Sequence, residues 1–390
     1  MANGTTSVAS VPAREASWAQ ALPDVRADAE PFADVTLRSQ LRAGIGGDRV
    51  RVEFSNRYGD QALVIGRVAV TCGGLSLPAF FDSGVGCSVP SGGSVWTDPV
   101  DLPVKGHAML TIDFHLPEQT SFPMLFTSVS EFTGQMSEPG DHVGAEHFPA
   151  VAAPPFPIPD DADISVHESG PFLRTVDVMG PDRHAVVVCL GDSITAMGWP
   201  EAAAGLLPVG EGVSIVNRGI AGNRLRLDAG APYRSNGRSG LHRFADDVLA
   251  TSGVAHVVVA LGTNDLGLPG EFEPLHELPT ADELIAAYQT LLDQASAAAI
   301  GASIATIGPR QGSDSYDGER ERIRSTVNDW IRALGSRCID FDQALRDPAS
   351  PLTLHARYDS GDHLHPSDAG QMQLAATAIS AVRHLNQRNP

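Results

Sequence analysis

Four cysteines in 390 residues, Cys72, Cys87, Cys189 and Cys338, include no Cys-x-x-Cys pair, which removes the usual zinc-ribbon and dithiol signatures. Cys189 and Cys338 lie in apolar runs, where a buried thiol is the expected role; Cys72 and Cys87 stay open as a disulfide or two free thiols. Basic residues are scarce as well. Lys and Arg number 27 against 47 Asp and Glu, a formal charge of −20, and without a basic run the chain has nothing to hold a nucleic-acid backbone. No apolar run approaches the roughly 18 residues that cross a bilayer, so no membrane partner is expected. The opening "MANGTTSVASVPAREASWAQ" lacks the basic and apolar regions of a secretory signal. The expected location is therefore cytoplasmic as given, or secreted if a signal once preceded this text.

What is plentiful is apolar residues, 42%, with 39 Gly and 28 Pro, the composition of a loop-rich globular protein. At this length two domains are expected, and the texture of the sequence divides accordingly. Up to residue 148 short alternating runs, "DRVRVEFSN", "ALVIGRVAVT", "HAMLTIDFHL" and "MLFTSVSEF", are separated by "GIGGD", "CGG" and "PSGGS". That pattern predicts an all-β sandwich over residues 1–148. The prolines of "FPAVAAPPFPIPDDADISVHESG" predict a connector over 149–180. Residues 181–390 alternate apolar runs, "HAVVVCL", "VSIVNRGI", "VAHVVVAL", "ASIATIG" and "RCIDF", with longer amphipathic segments. Continuous apolar strands are buried on both faces, which implies an α/β layer fold around a parallel sheet. Chemistry in such folds collects at the carboxyl ends of the strands.

Four short blocks stand at those ends. "GDSIT" puts Ser193 on a strand-to-helix turn, where a hydroxyl can face solvent as a nucleophile; an ordinary helix N-cap by Asp192-Ser193 reads equally well. In "NRGIAGN", Gly222 would let a backbone N–H approach a ligand, or would simply make a turn. Asn264 of "GTND" can donate from its amide into the same crevice, or cap a loop. In "SGDHLHPSDAG", Asp362 and His365 stand three apart; on one helical turn they would point the same way, so that the carboxylate orients the imidazole. His363 would then face elsewhere.

Taken in order these blocks resemble the SGNH hydrolases, also called the GDSL esterase/lipase family, over about residues 184–385. The departures are Ile194 in place of Leu and the wording "IGPRQG". The first half, with "DVTLRSQLRAGIGGDRVRVEFSN", resembles the β-domain of two-domain bacterial members. The resemblance implies a three-layer, flavodoxin-like SGNH domain after a jelly-roll-like accessory sandwich. It implies a serine esterase working through an acyl-enzyme, with Ser193, Asp362 and His365 as the triad, the Ser193 and Gly222 N–H groups and Asn264 as the oxyanion hole, and no cofactor or metal. Short-chain, aryl or carbohydrate acetyl esters are the expected substrates, lipase and thioesterase activities being open. Trp199, Tyr233 and Tyr316 are candidates to wall a pocket, and Trp18 and Trp96 to face a glycan or the other domain, although core packing suits each of them. Two other classes remain: a metal-dependent phosphoesterase using Asp192, Asn264 and His365 as ligands, and a glycan-binding protein with a vestigial hydrolase domain. The contact between the halves is expected to be apolar.

Overall fold

The computed structural model describes residues 13–22, 33–120, 133–151, 171–231 and 233–382. Strands alone build its first part: β1 (Ala13–Ala19), β2 (Val35–Arg42), β3 (Arg49–Ser55), β4 (Leu63–Ile65), β5 (Val68–Cys72), β6 (Leu75–Ala79), β7 (Cys87–Val89), β8 (Ser94–Trp96), β9 (Met109–Leu116), β10 (Thr133–Pro139) and β11 (Leu173–Gly180). They form two antiparallel sheets, in the orders β1-β11-β3-β8 and β10-β2-β9-β5-β6, with β4 and β7 paired beside them. Period-2 alternation explains the sandwich. Leu110, Ile112, Phe114 and Leu116 of β9 all turn inward and meet Val50, Val52 and Phe54 of β3 in one core, where the Phe54 and Phe114 rings pack edge to face at 5.0 Å.

The boundaries differ from those read in the sequence. Leu173–Gly180 is not connector but a central strand of the first sheet, paired with both β1 and β3, because Leu173, Val176 and Val178 enter the sandwich core. The sandwich thus extends beyond residue 148 to Gly180. The run "MLFTSVSEF" and the Pro-rich stretch 152–170 lie outside the described residues.

In the second part, β12 (Ala185–Gly191), β13 (Val213–Gly219), β14 (Val254–Ala260), β15 (Gly301–Ala305) and β16 (Cys338–Ile339) form a parallel sheet in the order β13-β12-β14-β15-β16. The helices are α1 (Ser193–Ala196), α2 (Trp199–Leu206), α3 (Gly240–Phe244), α4 (Thr263–Gly267), α5 (Ala281–Ala297), α6 (Gly318–Ala333), α7 (Phe341–Leu345) and α8 (Asp368–Val382). They cover both faces. Val186, Val188 and Leu190 of β12 pack with Phe244, Tyr288 and Val327 on one side, while Val187 and Cys189 pack with Trp199, Ala203, Leu374 and Ala378 on the other. Trp199 is therefore core, edge to face with Phe341. Cys189 is buried as expected, Cys338 is partly buried, and Cys72 and Cys87 are unpaired thiols. The order reverses around β12, and such a switch point opens a crevice at the carboxyl ends of the strands.

The two parts share a mixed boundary: Ala16 and Ala19 of β1 enter the apolar core of the second part as expected, but charged side chains are buried beside them. Strand β1 donates from Ala16 N to Ser252 O at 2.9 Å, and the buried side chains Glu53, Asp177, Arg218, Arg243 and Asp247 gather along the junction with the largely buried Arg174.

Candidate active site

Ser193 opens α1 directly after β12. The N-cap is Asp192, whose Oδ1 accepts from Ile194 N at 3.0 Å, so the capping reading of "GDSIT" holds with the Ser193 hydroxyl taking no part in the cap. The turn is tight enough to need glycine before it: a Cβ on Gly191 would collide with the Thr195 side chain and crowd Ala260 O. Burial pushes the Asp192 carboxyl up to about 7, against the lowering influence of the Ile194 N–H and of His365.

The Ser193 Oγ lies 2.9 Å from His365 Nε2, and His365 Nδ1 lies 2.5 Å from Asp362 Oδ2. An ionised Asp362 accepts from Nδ1–H, which leaves the Nε2 lone pair facing the serine hydroxyl. Burial alone would raise the Asp362 carboxyl, but the His365 side chain and the backbone N–H groups of His365 and Leu364 hold it well below the usual carboxylate range. Residues 362–365 do not form the helical turn that the three-residue spacing suggested. They make a bend in which Asp362 Oδ1 accepts from Leu364 N at 2.9 Å and His365 N at 2.8 Å, an Asx-type turn that aims the two side chains at each other. His363 has a left-handed φ of 62° and is bonded through Nδ1 to Asp359 Oδ2 at 2.7 Å, away from the serine.

Gly222 follows β13 with φ +72°, and a side chain there would run into the amide of Asn236. Asn264, in the first turn of α4, donates from Nδ2 to Asn223 O at 3.0 Å. Its neighbour Asp265 accepts from Leu225 N at 2.6 Å and Arg226 N at 3.0 Å. The "GTND" block thus clamps the loop that carries Gly222. Among the described residues no three His, Cys, Asp or Glu side chains converge in an arrangement that could hold a metal ion.

Residues 189–373 match the model of the GDSL-like lipase/acylhydrolase family. This part of the chain belongs to that family. As a member it is an ester hydrolase. Among solved structures, similar chains include a GDSL-like lipase from Bacteroides thetaiotaomicron, 21% identical, covering 51% of this chain and 88% of its own with a TM-score of 0.37. Another is an acetylxylan esterase from Geobacillus stearothermophilus, 23% identical, covering 51% and 94% with a TM-score of 0.40. No curated protein matches the chain in sequence.

The GDSL-like domain also places residues at its site that the sequence reading passed over. Arg243 is buried and bonds to Gly191 O at 2.7 Å, Arg218 O at 2.7 Å and Asn223 Oδ1 at 3.0 Å. Nothing local in "GLHRFADD" marks it. Asp265 could have been found, since it sits inside the "GTND" block. Tyr233 stacks edge to face on Phe272, and Trp96 lies under Arg51.

Proposed function

We propose that this hydrolase is a serine esterase acting on short-chain esters, with acetylated carbohydrates as the foremost substrate class. The observation that carries the serine mechanism is the continuous Ser193–His365–Asp362 hydrogen-bond chain, 2.9 and 2.5 Å. Ser193 Oγ attacks the ester carbonyl as its proton passes to His365 Nε2, and the imidazolium that forms is stabilised by Asp362. The carbonyl oxygen becomes an oxyanion, met by the Ser193 and Gly222 backbone N–H groups and by the amide N–H of Asn264 that is not committed to Asn223. On collapse the proton returns from His365 to the leaving alkoxide, which departs as the alcohol, and water then releases the acid by the same steps.

The substrate class rests on the rim. Ser360, Asp359 and His363 surround the Asp362–His365 bend, and Asn236 lies over Gly222. His365 and Asp362 remain 28% and 49% exposed. Such an open, polar border suits the hydroxyl-rich alcohol half of an ester better than a lipid. Tests are a series of p-nitrophenyl esters of rising chain length beside acetylated sugars, and labelling by an organophosphonate. Turnover should be highest with acetyl esters and the label should map to Ser193. Activity of Ser193→Ala within tenfold of wild type would end the serine reading, and a preference for long acyl chains would end the acetyl one.

A further inference from the structure

A line of buried polar side chains runs from the sandwich to the nucleophile's turn. It begins at Glu53 in β3, which receives both oxygens' worth of hydrogen bonds from Arg174 Nη1 of β11 at 2.9 and 3.0 Å, and a third from Thr175 Oγ1 at 2.7 Å. The other Arg174 nitrogen, Nη2, crosses into the GDSL-like domain, donating to Asp246 O at 2.6 Å and reaching Asp247 Oδ1 at 3.3 Å. Asp247 Oδ2 accepts from Arg243 Nη1 at 3.0 Å. The Arg243 fork then grips three points at once: Gly191 O, two residues before Ser193; Arg218 O, near the end of β13; and the side chain of Asn223, next to Gly222.

Both strand ends that carry proposed oxyanion donors are therefore held by one guanidinium. Burial alone would raise the Asp247 carboxyl, yet Arg243, Arg218 and Arg174 keep it below its ordinary value, so it remains an anion able to hold Arg243. A planar, always charged fork is suited to fixing several acceptors in one geometry. Hydrogen-bond donors aimed at a developing oxyanion lose effect steeply when displaced by a fraction of an ångström.

We propose that Arg243 is a positioning residue for the nucleophile turn and the Gly222 loop, and that the sandwich sets it through Glu53, Arg174 and Asp247. The β-domain is then a working part of the hydrolytic site, although among the described residues none of its side chains hydrogen-bonds to Ser193, Asp362 or His365. This inference rests on the serine reading given above.

The junction supplies its own control. Asp177 of β11 is equally buried and also bridges the parts, binding Arg51 at 2.9 Å and Ser252 Oγ at 2.8 Å, but its contacts do not lead to the site. In the full chain, Glu53→Gln and Arg174→Gln should each lower kcat about tenfold on an acetyl ester with KM within twofold, and slow phosphonate labelling of Ser193 in proportion. Asp177→Asn should lower the melting temperature and leave kcat within twofold. All rates are read well below the lowest melting temperature, and Arg174→Lys, which keeps the cation without the fork, replaces Arg174→Gln if that variant does not fold. Normal kcat in Glu53→Gln, or an equal fall in Asp177→Asn, overturns the positioning role. Loss of the serine reading would instead show as an active Ser193→Ala, so the two failures are distinguishable.

Discussion

Asp192 is the place where the site strains against the stability of the fold, and Asp192→Asn measures that strain. The carboxyl ordinarily titrates near 3.8 and is raised by burial to about 7. A carboxyl whose folded value lies above its unfolded one binds more protons in the native state between the two, so this group's contribution to stability falls as pH rises from about 4 to about 7 and is level above that. A shift of about three units at roughly 1.4 kcal/mol each comes to on the order of 4 kcal/mol. Asparagine keeps the Oδ1 acceptor for Ile194 N, so the cap on α1 survives, and it removes the ionisable group. The stability of Asp192→Asn relative to wild type should therefore increase between pH 5 and pH 8 by on the order of 3 kcal/mol, most of the total, since part is already lost at pH 5. Urea denaturation of both proteins at several pH values, followed by intrinsic fluorescence, reads this directly. Because only the difference between the proteins is used, the raised carboxyls of Glu15 and Asp177, which do not act on Asp192, cancel. A difference constant within about 1 kcal/mol over that range would refute the reasoning, and so would a difference that shrinks as pH rises.

Asn264→Ala should lower kcat by roughly a hundred to a thousandfold with little change in KM, as for a lost oxyanion donor, and also cost about 1 to 3 kcal/mol because Asn223 O loses its buried partner; near-normal kcat in a destabilised protein would make this amide structural. His365→Ala should fall by several orders of magnitude, whereas His363→Ala should stay within about tenfold, because His363 is paired with Asp359 and not with Ser193. The reverse ranking in steady-state kinetics would mean the wrong histidine had been assigned.

The positions of the strands, the two textures of the chain and the four blocks at the strand ends were legible in the sequence, because each is a local signal. Alternation every second residue marks β9, a continuous apolar run marks β12, and a glycine or a short polar side chain marks the turn that follows. The order of those blocks along the chain was enough to point to a family, since parallel strands bring their carboxyl ends to one edge wherever their neighbours fall. Local signals do not name partners. Nothing in "FLRTVDVMG" says that it pairs with β1 and β3, more than a hundred residues away, so proline composition misplaced the boundary. Spacing alone suggested a helix for Asp362 to His365, where the Asp362 carboxylate, by accepting backbone N–H groups, folds a bend instead. The buried charges were the least visible. An arginine such as Arg243 looks like surface in a sequence, and only when the folded chain removes water and surrounds it with Asp247, Gly191 O, Arg218 O and Asn223 does burying its charge become tolerable. That exchange of hydration for fixed partners draws on residues up to 52 positions away in the chain, and so it was decided by the tertiary structure.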